Sequence, residues 1–182
     1  KENNMITKKT KFKDLIIFKS KIHQDNRGYF REVFKNKYLN RYRFVFTCVS
    51  KSKNKVLRGL HFQNKLIQGK YLTVLKGKIL DVSLDLRKNS KTFGKHFKIV
   101  LSDKNGKSVF VPPGFAHGFL GLEKENLVIY HCTNYRSKNN ENGILWNDKD
   151  LKINWPNKKP KMSLKDKKLQ TYKSFLKKIK YL

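Results

Sequence analysis

Hydrophobic and polar residues alternate along the centre of the chain. In "KILDVSLDL", Leu80, Val82, Leu84 and Leu86 share one face and Asp81, Ser83 and Asp85 the other, the period-two signature of a β-strand. Upstream, "KYLTVLKGK" reads as a strand running into a tight turn at Lys76-Gly77,. A turn at "DKNG" (103–106) precedes the strand "KSVFV", which "PPG" at 112–114 stops,. "NLVIYHCTNY" (126–135) alternates again, with Val128, Tyr130 and Cys132 on one face. Helical signals are confined to the ends. From Ser163, the chain places Leu169, Tyr172, Leu176 and Ile179 at helical spacing, which predicts a helical segment over about 163–181,. Ser163 is its expected N-cap, and Asp166 three residues on completes a capping box. Many short, evenly spaced strands predict a mainly β protein, an antiparallel sandwich or barrel with short helices at its N- and C-terminal ends. No repeat or linker divides the chain, so one domain over 1–182 is expected, with a core over about 12–160,.

Composition narrows the partners. The 13 phenylalanines and 8 tyrosines among 182 residues supply apolar surface for a substantial core,. Lys and Arg number 43 against 13 Asp and Glu, a formal charge of +30. Such a charge suits nucleic acid, a membrane surface or a small anionic ligand. Here it is nearly all lysine, spread along the whole chain, and accompanied by abundant asparagine and isoleucine, as AT-rich codons produce. There is no zinc-finger spacing, RNA-binding aromatic motif or arginine-rich arm, so no nucleic-acid partner is expected. Cys48 and Cys132 lie in separate strand-like runs, which predicts neither a disulfide framework nor a zinc site and fits a reducing cytoplasm,. No apolar run approaches the ~20 residues of a membrane span. The polar, lysine-rich start lacks the apolar core of a secretory signal,, so a cytoplasmic protein without a membrane partner is expected.

Candidate chemistry begins at "VLRGLHFQ" (56–63). Strict alternation would send Arg58 and His61 to opposite faces, but Gly59 between them permits a bulge that re-aims one of them. A satisfied histidine at a sheet edge is the plainer alternative. Lys70 continues the inward row of Leu72 and Val74, a costly place for an ammonium unless it is paired, needed, or able to reach water. Pro112, Gly114 and His117 form P-x-G-x-x-H, which resembles the second cupin motif. The partner H-x-H is absent, since His61 is followed by Phe62 and Gln63, so no metal is expected. Tyr130 alone reads as a buried tyrosine with its hydroxyl tied to a neighbour, and Asp166 as a helix cap.

In combination these segments carry a resemblance. "DNRGYFRE" (25–32), "VLRGLHFQ", "TFGK" (92–95), "VPPGFAHGF" and "NENGILWNDKDLKINWP" (140–156) occur in that order. The set resembles the dTDP-4-dehydrorhamnose 3,5-epimerase family over roughly residues 12–170. The resemblance implies a metal-free, cofactor-free cupin jelly roll and a homodimer with exchanged N-terminal segments. It also implies inversion at carbons flanking the C4 ketone of a nucleotide-linked sugar, where the carbanion delocalises onto the ketone oxygen. By that resemblance His61 is the base, Asp166 holds its imidazole, Lys70 stabilises the enolate oxygen and Tyr130 is the proton donor. Arg27 and Arg58 match substrate and phosphate contacts, Phe30 and Glu32 the nucleotide-binding segment, and His117, Glu141 and Lys165 further binding positions. Independently of the resemblance, the inward polar face of its strand suggests that Asp81 orients His117.

The chain departs from the family pattern where the nucleotide is read. Phe46 and Cys48 stand where the family has glutamine and asparagine, and Arg136 where it has a stacking tyrosine, with Tyr135 adjacent. Lost amides discriminate strongly against a polar ligand edge, and an arginine plane can stack or pair with an oxygen-rich base. The resulting expectation is a GDP-linked sugar in preference to a dTDP-linked one, with a 4-keto heptose as well as a 4-keto-6-deoxy hexose within range. Inversion of one carbon only, ketoisomerisation, and a non-catalytic sugar- or nucleic-acid-binding cupin are the alternatives.

Overall fold

A computed structural model describes residues 5–179. The ends of the expected domain, 1–4 and 180–182, and with them the end of the expected C-terminal helix, lie outside the described residues. The strands are β1 (Met5–Lys9), β2 (Ile16–Ser20), β3 (Ile22–Asp25), β4 (Gly28–Arg31), β5 (Phe46–Lys53), β6 (Leu57–Gln63) and β7 (Lys70–Lys76). They continue as β8 (Lys78–Asp85), β9 (His96–Ser102), β10 (Lys107–Val111), β11 (Phe115–Gly121), β12 (Glu125–Cys132) and β13 (Glu141–Gly143). Two antiparallel sheets face each other as a jelly roll, ordered β1-β2-β10-β7-β12-β5 and β13-β6-β11-β8-β9, while β3 and β4 form a separate hairpin.

The turn expected at Lys76-Gly77 is a corner between sheets and not a hairpin, because β7 belongs to one sheet and β8 to the other. Gly77 turns it at φ +84°, and a Cβ there would meet the carbonyl oxygen of Glu125. Between the sheets, Leu72 and Val74 of β7, Val109 and Val111 of β10 and Val128 of β12 pack with Phe115 and Phe119 of β11. A second core lies outside this sandwich. There Val82, Leu84, Leu57, Leu60, Ala116 and Leu120 are covered by the C-terminal third of the chain through Ile144, Leu151, Trp155 and Phe175. The apolar face of β8 therefore looks outward to this cover, and its polar face, with Asp81 and Ser83 wholly buried, looks into the sandwich.

The ends differ from expectation. Among the described residues, the N-terminal end holds a single 3-10 turn, Asn36–Tyr38, beside strands. The C-terminal helix is split into α1 (Leu164–Lys167) and α2 (Tyr172–Ile179). The break arises because Gln170 leaves the helix to bridge Ile144, its carbonyl accepting from Leu145 N at 2.9 Å. Thr171 then restarts the helix, its Oγ1 accepting from Ser174 N.

Candidate active site

The bend expected at Gly59 is present. The β6–β11 register pairs Arg58 with Phe119 and His61 with His117, and shifts between them. Gly59 takes φ +114°, and a Cβ on it would lie 2.6 Å from Gly118 Cα. Only glycine combines that dihedral with that approach. The result brings Arg58 and His61 to one cleft.

His61 Nε2 lies 2.7 Å from Asp166 Oδ1, and Asp166 Oδ2 accepts from Gly59 N at 3.3 Å. The capping box is thus half formed. Ser163 Oγ accepts from Asp166 N at 3.0 Å, but the Asp166 carboxylate serves the histidine. Burial alone would raise the Asp166 carboxyl, yet the hydrogen bonds from His61, Gly59 and Ser163, with the histidine's charge, leave it below its ordinary value. Across the sandwich, β12 and β5 place Tyr130 opposite Cys48. The Tyr130 hydroxyl is 2.9 Å from Ser50 Oγ. Burial is the main reason its phenol is held well above the usual tyrosine range, the Ser50 bond working against it. Lys70, at the start of β7, points into the same space, and desolvation lowers its ammonium below the ordinary lysine value. No ion pair or hydrogen bond holds it among the described residues.

These groups line one cleft of about 740 Å³, together with Arg58, His117, Phe46, Cys48, Arg136, Glu141 and Lys165. Asp81 does orient His117, its Oδ2 lying 2.6 Å from Nε2. Asp81 Oδ1 and the Ser83 hydroxyl beside it are buried without a hydrogen-bond partner. The Arg136 guanidinium is paired within the chain. Its Nε and Nη2 donate to Glu141 at 3.2 and 3.0 Å, and Lys165 Nζ reaches the same carboxylate. Burial would raise Glu141, but these two cations pull it down to about 2.

Arg27, Phe30 and Glu32 are not brought to this cleft within one chain. They lie on or just beyond the β3–β4 hairpin, where Arg27 pairs with Asp25, Glu32 with Lys35, and Phe30 is 66% exposed. Sequence reasoning missed Ser50, Gln68 and Lys161, which also line the cleft. Ser50 could have been found by parity, since it shares a strand face with Phe46 and Cys48. "TFGK" proves structural. Thr92 Oγ1 donates to the buried Asp85 at 2.6 Å, and Gly94 makes room for Tyr172. Among the described residues, no group of three or more His, Cys, Asp or Glu is arranged to hold a metal ion, and no helix is long and apolar enough to cross a membrane.

The arrangement can remove a proton with a carboxylate-oriented imidazole, hold negative charge on an oxygen beside an ammonium, and return a proton from a phenol. A family model described as dTDP-4-dehydrorhamnose 3,5-epimerase matches residues 9–174. The dTDP-4-dehydrorhamnose 3,5-epimerase of Methanothermobacter thermautotrophicus is 44% identical over 152 residues, which are 81% of this chain and 82% of that protein. The Shigella flexneri protein of the same name is 42% identical over 164 residues, 87% of this chain and 91% of its own. A solved structure of the Legionella pneumophila dTDP-6-deoxy-D-glucose-3,5-epimerase, in complex with dTDP-4-keto-L-rhamnose, has a TM-score of 0.87 at 37% identity and covers 92% of each chain. With this fold, this cleft and these relatives, the chain belongs to the dTDP-4-dehydrorhamnose 3,5-epimerase family.

Proposed function

We propose that this enzyme inverts C3 and C5 of a dTDP-linked 4-keto-6-deoxy hexose. The observation that carries the reading is the opposition, across one cleft, of the Asp166-oriented His61 and Tyr130, with the unpaired Lys70 beside them. His61 takes the proton from the carbon next to the ketone, and the electron pair moves onto the C4 oxygen. Lys70 stabilises that oxygen where water is excluded. Tyr130 delivers a proton to the opposite face of the same carbon, and the second carbon follows.

For the nucleotide, Phe46 and Tyr135 stack at 5.9 Å with 13° between their planes. They offer an aromatic platform for a pyrimidine in place of Arg136, whose guanidinium Glu141 already engages. Arg58, Lys161 and Lys165 along the cleft suit a diphosphate,. The missing amides at Phe46 and Cys48 favour GDP as a second reading. Exposed Tyr29 and Phe30 on the β3–β4 hairpin suit a homodimer in which this hairpin lends Arg27 and Glu32 to the other subunit's cleft.

Deuterium wash-in tests the reading. The enzyme is incubated in D2O with dTDP- and GDP-linked 4-keto-6-deoxy sugars and a 4-keto heptose, and C3 and C5 are followed by NMR. Exchange with inversion at both carbons of the dTDP sugar is expected. A clear preference for GDP would move the nucleotide assignment, exchange at one carbon would make this a single-centre epimerase, and no exchange with any substrate would overturn the reading. For the exchanged hairpin, Arg27→Ala and His61→Asn subunits are expected to regain activity when mixed, and failure to do so would remove it.

A further inference from the structure

We infer that Cys48 and Cys132 are a modification site inside the cleft, a thiol pair that hydrogen peroxide joins into a disulfide and that turnover requires in its reduced form. The pair itself stands on geometry, and its effect on turnover rests on the proposed epimerisation.

Cys48 lies on β5 and Cys132 on the adjoining β12, where the register sets Cys48 opposite Tyr130 and Phe46 opposite Cys132. Residues two apart on a strand share a face, so the two thiols are diagonal neighbours on the face that carries Tyr130. Both line the cleft. Cys132 is also opposite Lys70 across β12 and β7. Both are free thiols, and the proposed reaction uses neither.

The two thiols are unequal, which sets the order of events. Cys48 is exposed and Cys132 is buried. Burial pushes the Cys132 thiol up to about 12; Lys70 works against that shift and a hydrogen bond with the Cys48 thiol adds to it. The thiolate is the form that reacts, so peroxide meets Cys48 first. The Cys48 sulfur attacks one peroxide oxygen, the O–O bond breaks, and hydroxide leaves a sulfenic acid behind. The Cys132 sulfur then displaces the sulfenic hydroxyl, which departs as water with the Cys132 proton. In sum the pair loses two electrons and two protons, and one peroxide becomes two waters.

Diagonal neighbours lie about 7–8 Å apart, their Cβ atoms somewhat closer, whereas a disulfide holds its Cβ atoms at about 3.8 Å. Closing the bond therefore draws β5 towards Cys132. As the edge strand of its sheet, β5 is paired on one side only and can follow. Ser50, 2.9 Å from the Tyr130 hydroxyl, and Phe46, stacked on Tyr135, move with it. The bond disturbs the proton donor and the aromatic platform together. A sugar in the cleft covers Cys48, so the empty enzyme is the form that peroxide reaches.

Treating the full chain with hydrogen peroxide tests the pair by intact mass, by peptide mapping, and by kcat measured against each variant's own untreated activity. Wild type is expected to lose two hydrogens and yield a Cys48–Cys132 linked peptide. Its kcat should fall roughly 10- to 100-fold, as a displacement of about 1 Å near the chemistry can produce. Dithiothreitol should reverse both changes, and saturating substrate should slow them. Cys48→Ser and Cys132→Ser should each abolish the reversible loss. Oxygen added to Cys48 without the link, a link between two chains, a Cys132→Ser enzyme that still loses activity reversibly, or a linked enzyme with unchanged kcat would overturn the inference while leaving the epimerase reading in place. A wild-type enzyme that inverts neither carbon before treatment would instead remove the epimerase reading, and the mass would still decide whether the bond forms.

Discussion

The two oxygens of Asp166 are divided between His61 Nε2, at 2.7 Å, and the backbone N–H of Gly59, at 3.3 Å. One carboxylate thus holds both the imidazole and the bend in the strand that carries it. Asp166→Asn should keep the bend but present the ring with the wrong polarity, and kcat is expected to fall by roughly 10²- to 10⁴-fold. The variant also tests linkage. The folded carboxyl titrates below its unfolded value, so its contribution to stability is present above about pH 4 and is lost as pH falls through the folded value. Thermal melts carried into acid should show a shallower decline for the variant than for wild type.

Lys70 should trade activity for stability. Desolvation lowers its ammonium, so the unfolded chain binds this proton more tightly than the folded protein. Stability from this group therefore rises with pH between the folded value and the ordinary ~10.4. Lys70→Met is expected to hold or raise the melting temperature at neutral pH and to flatten that rise, while kcat drops roughly 10²- to 10³-fold. A variant that melts well below wild type would show the ammonium to be structural.

Tyr130→Phe should uncouple exchange from inversion. His61 can still remove the proton and return a solvent deuteron to the same face. NMR in D2O is expected to show label entering C3 or C5 with the configuration retained. Label entering with inversion would identify a different acid.

Gly59→Ala places a methyl 2.6 Å from Gly118 Cα at φ +114°. Strained backbone alone costs on the order of 1–3 kcal/mol, and the neighbour is backbone that cannot step aside. A lower melting temperature and a misdirected His61, read as lost kcat, are expected together. Unchanged stability would mean that the bend is not as tight as described.

Much of this was legible in the residues because period-two alternation survives burial on both faces. Val128, Tyr130 and Cys132 lie on one face as the sequence predicts, and Asp81 does meet His117. What could not be read locally depended on partners distant in sequence. The break before Tyr172 requires Gln170 to meet Ile144, 26 positions earlier. The pairing of Arg136 with Glu141 runs through a short loop whose conformation no periodicity describes. Asp166 shows how one residue can satisfy a local rule and a distant one, since its backbone caps a helix while its side chain serves a base 105 positions away. The helix cap was visible in the motif, but its use in the site entered only through the resemblance.

The outward-facing apolar side of β8 has a consequence for how this protein can change. Leu80, Val82 and Leu84 belong with the cover of Trp155 and Phe175, whereas Asp81 and Ser83 face into the sandwich. At the middle of this strand, the side chains that hold the cover and the one that holds His117 therefore point to opposite sides. A substitution at Val82 or Leu84 therefore acts on the cover alone, whereas one at Asp81 is felt through His117 in the cleft.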